Sequence, residues 1–308
     1  MTVAYTIALC THNHADRLAR TLAELKRLRS PPVAWEFLVV DNGCSDGTAD
    51  VLANHDWPAD WQVRIVREER LGLSNARNRA IADARAEYVI FMDDDETPDP
   101  DWLCAFHRLV IDKRPDAFGG RIRVMFEDQR PAWVSDEVLG FLGELNRSSE
   151  ISRLTDPKTS FYGGNFGIRR AVCERVGLFD AMLGRKGMDN TGGEEVDFYR
   201  RLLDAGLGVW WTPEAVIYHR IQAAKLKRSY FLDLHFRQGR MEAIRARGDR
   251  SRIPPPYFFA QLVRAVASVW AQYRALGRVA TLRKEMNVAY FAGKIAGWTV
   301  GPRMGASG

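Results

Sequence analysis

Residues 88–103, YVIFMDDDETPDPDWL, decide the predicted fold because an apolar run passes directly into a cluster of acids. The apolar part, residues 88–92, has the length of a buried strand. Strand-like and helix-like segments also alternate along the sequence before it. The predicted strands are residues 3–10, 35–41, 61–67 and 88–92, and one predicted helix carries Leu18, Leu22, Leu25 and Leu28 at helical spacing. Alternation of this kind predicts an α/β fold with a mostly parallel sheet flanked by helices.

Helix starts and later elements complete this prediction. Ser45 or Asp46 is expected to cap the second helix, and Ser74 the third, which would run to Arg85. Residues 192–203 read as a loop entering a helix with acids in its first turn, where the helix dipole favours them. Residues 209–218 predict one or two short strands that end at His219.

The acids of the opening stretch follow a strand end directly. Asp93, Asp94 and Asp95 come after the fourth predicted strand and Asp41 ends the second, and ligands of such sheets bind beyond the carboxyl ends of strands. Adjacent carboxylates repel one another, so such a cluster normally needs a cation or shifted pKa values. Oxygen ligands suit Mg²⁺ or Mn²⁺, held together with substrate phosphates. A solvated acidic turn leading into a helix is the alternative.

The motifs around this cluster have a family order. They are IALCTHNHADRL, FLVVDNGCSDGT, GLSNARNRAI, YVIFMDDDETPDPDWL, YGGNFGIRRAV, VGLFD and GGEEVDFYRRLLDAG. The set resembles the family 2 glycosyltransferases of the GT-A fold, of the type that builds bacterial polysaccharides or glycolipids, and the resemblance covers residues 3–219. It implies a GT-A catalytic domain and an inverting, metal-dependent enzyme that uses a nucleotide-sugar donor, most readily a UDP-sugar, with a glycan or a lipid-linked saccharide as acceptor.

The resemblance also implies roles for residues on the donor side. Thr11 and Asn13 would line the nucleotide pocket, Asp41 would accept a hydrogen bond from the base, and Arg77 would contact the base or the diphosphate. Asp93 would hold the ribose and Asp95 would bind the metal, while Asp94 fills the variable middle place. His219 is the candidate for a further metal ligand, as a neutral imidazole. Two questions stay open: whether Asp94 shares the metal, and whether Cys44, which stands where the family has Ser, alters its turn.

The same resemblance implies the acceptor side. Glu194 and Glu195 match the acidic pair before a helix whose second member is the base, so Glu195 is predicted to deprotonate the acceptor hydroxyl, with Glu194 as its supporting neighbour. Asp197 is a second candidate for the base, since the family more often has Asp than Glu at the place of Glu195. Gly164 and Asn165, with the glycine before them, would lie near the donor sugar and the acceptor. Each of these features has a structural alternative, namely helix capping or a plain turn.

Charge divides the chain unequally. The net charge is +5, but residues 220–308 carry 17 Lys and Arg against 4 Asp and Glu, which leaves 27 against 35 in residues 1–219. This division suggests two different jobs. Together with the resemblance over residues 3–219, it predicts a catalytic domain at 1–219, for which the resemblance implies a nucleotide-binding half of about 1–117 and an acceptor-side half of about 118–219. The predicted basic, mainly helical region follows at 220–308. Its aromatic residues are Tyr257, Phe258, Phe259, Trp270, Tyr290, Phe291 and Trp298.

The basic region has two readings. With its aromatic residues it suits an anionic membrane surface, and the alternative is a helical appendage packed on the catalytic domain. Nucleic-acid binding is not expected. The four cysteines are scattered, which favours reduced thiols. We see no leader at the start of this sequence and no long apolar run. We therefore expect a cytoplasmic protein, or one at a peripheral position on the inner face of the cell membrane.

Two other functions compete with the transferase. A nucleotidyltransferase or a metal-dependent phosphohydrolase would also use clustered aspartates, but residues 11–18, THNHADRL, are not the Gly-rich phosphate loop that we would expect there. An inactive membrane-associated scaffold would need neither the three aspartates nor the glutamate pair. Both acidic clusters are intact, which favours an enzyme.

Overall fold

The chain forms two compact units, of which each is described by itself. The computed structural model describes residues 3–183, 193–248 and 251–300. The first unit consists of Met1–Met125 and Gly143–Arg220, and the second of Phe126–Leu142 and Ile221–Gly308. The predicted division of the first 219 residues into two halves stays a prediction.

The first unit contains the sheet and six helices among its described residues. In chain order the elements are β1 Tyr5–Thr11, α1 Ala15–Leu25, β2 Trp35–Asp41, α2 Thr48–Asn54, β3 Gln62–Arg67, α3 Leu73–Asp83, β4 Tyr88–Asp93, β5 Glu96–Pro98, α4 Trp102–Lys113, β6 Ala117–Phe126, β7 Ser152–Arg153, β8 Phe166–Arg169, α5 Val172–Val176, α6 Glu194–Asp204 and β9 Val209–Ile221. The last residues of β6 and β9 already belong to the second unit.

The described strands form one mixed sheet in the order β3-β2-β1-β4-β8-β6-β9-β5, with β7 paired to β9. β3, β2, β1 and β4 run parallel, whereas β8 is antiparallel to β4 and to β6. The predicted α/β sheet with flanking helices is therefore confirmed, and its parallel part is the half that carries Asp41 and Asp93. Register explains why these two acids lie at one edge: Thr11 pairs with Asp41, and Cys10 pairs with Asp93.

Helix and strand boundaries follow the sequence pattern closely where side chains are buried. β2 coincides with the predicted strand, and every one of its residues is buried. Leu18, Leu22 and Leu25 are the buried side of α1. Residues 209–221 form one long strand, rather than one or two short ones.

Two helix starts show how caps depend on distant partners. The predicted cap of α3 by Ser74 is wrong: Gly72 is the N-cap, and the Ser74 hydroxyl donates to the carbonyl of Leu183 at 2.8 Å. Asp46 contacts the starts of two helices. Its carboxylate accepts hydrogen bonds from the backbone N–H of Thr48 in α2 and of Ala15 in α1, both at 3.0 Å.

The second unit is helical in its described part. Its long helices are α7 Arg228–Arg247, α8 Pro256–Leu276 and α9 Leu282–Thr299. α7 and α9 pack closely at three glycines, where a Cβ would collide with a backbone carbonyl of the facing helix: Gly239, Gly293 and Gly297. Ala243, Phe258 and Trp298 form a small buried cluster in this unit. Among the described helices, none has the length and apolar character needed to cross a membrane.

Candidate active site

The three consecutive aspartates contact different partners. Asp93 ends β4 and lies 3.7 Å from the Arg77 guanidinium, between Oδ1 and Nη2. The Asp95 carboxylate lies 3.5 Å from His219 Nε2. Successive side chains at a strand end leave in different directions, so the three acids serve three different contacts.

Asp94 is buried beneath the first strand and helix. Its Oδ2 accepts a hydrogen bond from the Thr11 hydroxyl at 2.6 Å, and His14 Nδ1 lies 3.1 Å from the same oxygen. The Thr21 hydroxyl donates to its backbone carbonyl at 2.7 Å. The hydrogen bond to Asp94 raises the pKa of His14, against the opposing effect of burial. Asp94 thus links β1 and α1 to the strand end. The predicted place of Thr11 in the nucleotide pocket stays a prediction.

Asp95 and His219 meet because two strands bring them together. β5 pairs antiparallel with β9 so that Glu96 stands opposite His219, and the backbone N–H of Arg220 donates to the carbonyl of Asp95 at 3.1 Å. Gly143, with φ +98°, packs on the imidazole: a Cβ at this position would lie 2.7 Å from His219 Nδ1. The strand pairing and the packing of Gly143 therefore restrict the positions of Asp95 and His219.

Asp95 and His219 by themselves offer only two side-chain ligands to a metal ion. Within the described residues, no group of three or more His, Cys, Asp or Glu side chains is arranged to hold a metal ion. One carboxylate oxygen and one imidazole nitrogen 3.5 Å apart are compatible with a shared divalent cation whose remaining ligands come from a phosphate or water. The pair fits a metal that arrives with its substrate.

Glu96 is a buried acid that the sequence interpretation treated only as part of an acidic turn. Its Oε2 accepts a hydrogen bond from the Asp93 N–H at 3.1 Å. Burial, and then the charges of Asp93 and Asp95, raise the pKa of Glu96 well above its usual range. Gly164 lies directly on this carboxyl group, where any Cβ would collide with the Glu96 oxygens. No periodicity could reveal this acid, because β5 is only three residues long.

Arg77 joins the two acidic clusters of the sequence. Its Nη1 donates to Glu194 Oε1 at 2.8 Å, while Nη2 faces Asp93. The side chain is 2% exposed, and Gly163 packs against the guanidinium where a Cβ could not fit. Three phenyl rings surround it, with centroids 5.7 to 6.0 Å from its Cζ: Phe91, Phe166 and Phe179. Arg77 thus contacts carboxylates of both clusters, and its predicted contact with the base or the diphosphate stays a prediction.

The charge state of Arg77 is secure despite its burial. Burial by itself would lower the pKa of Arg77, but the negative charges of Glu194, Asp93 and Glu195 raise it above its usual value. A cation is thus held between the end of β4 and the start of α6. The two acidic clusters, far apart in sequence, belong to one site.

Glu194 and Glu195 start α6 and differ in their surroundings. Glu194 is buried, accepts from Arg77, and also accepts the Gly193 N–H at 3.1 Å through Oε2. Glu195 Oε2 is buried without a hydrogen-bond partner among the described residues. Burial, and then the charge of Glu194, raise the pKa of Glu195. A buried, unpaired carboxylate oxygen with a raised pKa is suited to taking up a proton.

Asp197, the second candidate for the base, has a structural role. Its Oδ2 accepts a hydrogen bond from Arg201 Nε at 2.9 Å, one turn further along α6. The same arginine donates to the carbonyls of Val176 and Leu178. Asp197 therefore orients a cation that ties α6 to the chain after α5, and Glu195 stays the better candidate. Gly192 and the residues just before it lie outside the described part of the chain.

The end of β2 and the loop after it carry residues that are predicted to lie near the nucleotide. Asp41 accepts a hydrogen bond from the Cys44 N–H at 2.8 Å, and its Oδ2 lies 2.9 Å from Arg67 Nη1. Burial, and then the hydrogen bond with Asp41, raise the pKa of Cys44 to about 11. The protonated thiol donates to the Thr11 carbonyl at 3.5 Å, so Cys44 ties the turn to β1 through a polar contact.

Asn13 links this loop to the end of β1. Its backbone is left-handed, with φ 52°, and its Oδ1 accepts the Ser45 N–H at 2.8 Å. Its own N–H donates to the Cys44 sulfur at 3.2 Å. The side chain is exposed, so Asn13 borders the open edge of the sheet where β1 and β2 end.

Asn165 is fully buried and hydrogen-bonded within the protein, and its predicted place near the donor sugar and the acceptor stays a prediction. Its exposed fraction is 0%. Its Oδ1 accepts from Trp102 Nε1 at 2.8 Å, and its Nδ2 donates to the carbonyls of Arg121 and Ala215 at 2.8 and 3.0 Å. Because no polar atom of this amide is left over, Asn165 holds β6, β9 and α4 in register.

Comparisons with known proteins identify the family of this chain. The profile of the family described as "Glycosyl transferase family 2" matches residues 6–177. The chain is 24% identical over 240 residues to "Succinoglycan biosynthesis protein ExoM" of Rhizobium meliloti, which covers 77% of this chain and 74% of that protein. It is also 24% identical over 214 residues to "Glycosyltransferase AglE" of Haloferax volcanii, over 70% of this chain and 66% of that protein.

A solved structure shares the fold. A mannosyltransferase from Pyrobaculum calidifontis, in complex with GDP-Man and Mn²⁺, superimposes with a TM-score of 0.62 at 19% identity. The match covers 96% of this chain and 86% of that chain. The predicted GT-A fold is confirmed by this likeness, and the family profile covers more than half of the 308 residues. The chain belongs to glycosyl transferase family 2, and it is a glycosyltransferase.

Proposed function

We propose that this glycosyltransferase is an inverting, metal-dependent enzyme that moves a sugar, most simply a hexose, from a nucleotide-sugar donor to a hydroxyl of a glycan or glycolipid. The observation that carries the proposal is the position of Arg77. Its guanidinium faces Asp93 on one side and Glu194 on the other. The donor-binding acids and the candidate base are thereby held in one site, as a transfer between two bound substrates requires.

The donor would lie across the ends of β1, β2 and β4. Asn13 and Asp41 are the proposed contacts for the nucleotide, with Thr11 beside them, and Asp93 is the proposed contact for the ribose. A UDP-sugar is the proposed donor, and the mannosyltransferase of similar fold holds GDP-Man, so the test has to include both bases.

Asp95 and His219 are the residues that would hold the metal, Mn²⁺ or Mg²⁺. Their 3.5 Å separation, and the lack of a third metal-binding side chain among the described residues, suit an ion that shares its coordination with a diphosphate. When bound, such an ion stabilises the negative charge of the leaving diphosphate. Asp94 is not part of this proposal, because its carboxylate is occupied by Thr11 and His14.

Glu195 is the proposed base. Its unpaired Oε2 would accept the proton of the acceptor hydroxyl as that oxygen attacks the anomeric carbon. Attack from the side opposite the leaving diphosphate inverts the anomeric centre. Glu194, fixed by Arg77, would keep the start of α6 in place. Gly164, which packs on the Glu96 carboxyl group, and Asn165 remain proposed residues near the donor sugar and the acceptor.

The acceptor and the site of action follow from the relatives. Similarity to a succinoglycan biosynthesis protein supports a role in polysaccharide or glycolipid synthesis. We also propose a lipid-linked saccharide as the acceptor and a cytoplasmic enzyme that works at the inner face of the cell membrane.

Thermal shift with a panel of nucleotides, each with Mn²⁺, with Mg²⁺ and without metal, tests the proposal. Stabilisation by UDP or GDP only in the presence of metal is the expected result. Hydrolysis of a nucleotide without sugar transfer would favour a phosphohydrolase, and the absence of any nucleotide response would favour an inactive scaffold. Either of these two results would overturn the proposal.

A further inference from the structure

One long helix of the second unit exposes large apolar side chains along its length. They recur at spacings of three and four residues on α8: Phe259, Val263, Val266, Trp270 and Tyr273, with Leu276 near its end. Val263 is 68% exposed and Trp270 is 60% exposed. We call these residues the α8 stripe. An isolated exposed apolar residue is ordinary, but a continuous stripe over several helical turns marks a binding surface.

The stripe is not needed for the core of its own unit. α8 uses other residues for that purpose: Phe258 and Ala265 are its buried residues, and Phe258 packs edge-on against Trp298 with centroids 5.4 Å apart. The face that packs inward and the face that carries the stripe are therefore distinct sides of one helix. What covers the stripe has to come from outside the unit.

The charges of α8 are all of one sign. Its 21 residues, PYFFAQLVRAVASVWAQYRAL, contain no Asp or Glu and two arginines, Arg264 and Arg274, which are both exposed. Residues 251–300 contain seven Lys and Arg against one acid, Glu285. The helices that surround the stripe thus carry a strong positive bias, and this bias selects the partner.

We propose that the α8 stripe binds the surface of an anionic phospholipid bilayer, with α8 lying in the plane of the interface. Trp270 and Tyr273 suit the headgroup region, because their rings are apolar with a polar tip. Val263 and Val266 reach the acyl boundary, while Arg264 and Arg274 pair with anionic headgroups. The apolar side chains and the positive charges of α8 together favour an anionic bilayer as the partner.

Charge also decides against self-association through this helix. Helices that pair in water place opposite charges beside the apolar seam. Two copies of α8 would bring four arginines together without a carboxylate on either helix, and this repulsion opposes a dimer. An anionic surface turns the same arginines into attractive contacts.

Six of the seven aromatic residues singled out from sequence divide into two groups. Phe258 and Trp298 are buried, and the Trp298 indole donates to the carbonyl of Ser251 at 2.9 Å. The Tyr290 hydroxyl donates to Glu242. These three serve the helical unit itself, whereas Tyr257, Phe259 and Trp270 are exposed. Of the exposed residues, Phe259 and Trp270 belong to the proposed membrane surface.

Co-sedimentation of the full chain with vesicles tests the proposal. Phosphatidylcholine vesicles with and without phosphatidylglycerol serve as probes, at low and at high salt. We expect binding to the anionic vesicles and weaker binding at high salt. The variant Val263→Glu/Trp270→Glu should bind on the order of tenfold less tightly or worse, because it places charge in the apolar boundary. Replacing Arg264 and Arg274 by Ala should cost about fivefold for each arginine on anionic vesicles only.

Ile111→Glu is the matched control, because Ile111 is also 68% exposed but lies on α4 of the first unit. It should bind vesicles like the unaltered protein. Equal vesicle binding by the stripe variant overturns the proposal, and so does a dimer in vesicle-free solution that the stripe variant converts to a monomer. Retained nucleotide-dependent thermal stabilisation in the stripe variant would show that it is folded, and this readout keeps the result independent of the proposed reaction.

Discussion

Arg77 Nη1 lies 2.8 Å from Glu194 Oε1, and the side chains of both residues are buried. The pair connects α3 with the start of α6 across 117 residues of sequence. Removing two charges from water is costly, and a buried pair is tolerated only where its geometry and its other contacts compensate. Here the three phenyl rings and Asp93 supply those contacts, so the position of Glu194, and with it of Glu195, depends on one guanidinium.

Replacing Arg77 by Met should destabilise the protein strongly. Methionine fills much of the same space but leaves Glu194 buried without a cation, which costs roughly 3–5 kcal/mol of unfolding free energy. Urea unfolding measures the loss. Adding Glu194→Gln to Arg77→Met should restore a large part of it, because the second change removes the uncompensated charge.

Arg79→Met, two residues along α3, is the matched control. Arg79 forms a partly exposed ion pair with Asp83 on the same helix, and ion pairs near the surface contribute less than about 1 kcal/mol. Losses of similar size in the two variants would contradict the special role of Arg77.

Replacing Glu195 by Gln should abolish turnover while nucleotide binding survives. The amide has nearly the shape of the carboxylate but cannot accept the proton of the acceptor, so we expect a loss of about 10²- to 10⁴-fold in kcat. Metal-dependent thermal stabilisation by nucleotide should stay close to normal, since Glu195 lies on the proposed acceptor side.

Asp197→Asn tests the alternative base in the same helical turn. Because Asp197 is paired with Arg201, this change should reduce stability slightly and leave kcat within a few-fold of normal. Loss of turnover in Asp197→Asn together with activity in Glu195→Gln would transfer the base assignment to Asp197.

The parallel half of the sheet could be predicted from sequence because its pattern is local. β2 is a seven-residue run that is buried throughout, and Asp41 and Asp93 lie at one edge since parallel strands end on the same side. The antiparallel strands β6 and β8 are harder to predict. β6 has mixed burial over ten residues and β8 is four residues long, so neither carries a clear period.

The contacts of the site could not be predicted, because each depends on a residue far away in the chain. The resemblance predicts that Arg77 contacts the base or the diphosphate, and no pattern in the sequence indicates that it donates to Glu194, 117 residues away. Asn165 looked like a loop residue, yet its three hydrogen bonds go to α4, β6 and β9. A motif identifies residues that belong to a site, but it does not separate those that face a ligand from those that hold the site together.

The pH dependence of the reaction should reveal the surroundings of Glu195. Burial, and then Glu194, raise the pKa of Glu195 above its ordinary 4.5, while Arg77 opposes that shift. Since only the ionised carboxylate can act as the base, kcat/KM should fall with decreasing pH along a limb centred above 4.5. Measuring nucleotide affinity over the same pH range separates this limb from donor binding. A limb centred at or below 4.5 would contradict the assignment.

The raised pKa of Glu195 also affects stability. Here the effect of rising pH is unfavourable, opposite to its effect on kcat/KM. A carboxyl group whose pKa is raised in the folded state favours folding while it is protonated, and this contribution is lost as pH rises through the folded-state pKa. Glu195→Gln removes the penalty, so its melting temperature should exceed that of the unaltered protein at neutral and alkaline pH. The difference should vanish in acid, below the pKa of the unfolded carboxyl group.

The proposed metal site should respond to Gly143, a residue that has no ligand atom. Asp95→Ala should remove the effect of Mn²⁺ on nucleotide binding outright. Gly143→Ala would place a Cβ about 2.7 Å from His219 Nδ1 and so displace the imidazole, which should weaken the apparent Mn²⁺ affinity by about 10- to 100-fold. Titrating Mn²⁺ at fixed nucleotide measures this effect.

Gly206→Ala is the control, because Gly206 also has positive φ but a Cβ there meets nothing within 4 Å. It should cost stability through backbone strain and leave the Mn²⁺ titration unchanged, whereas unchanged titration in Gly143→Ala would remove His219 from the metal site.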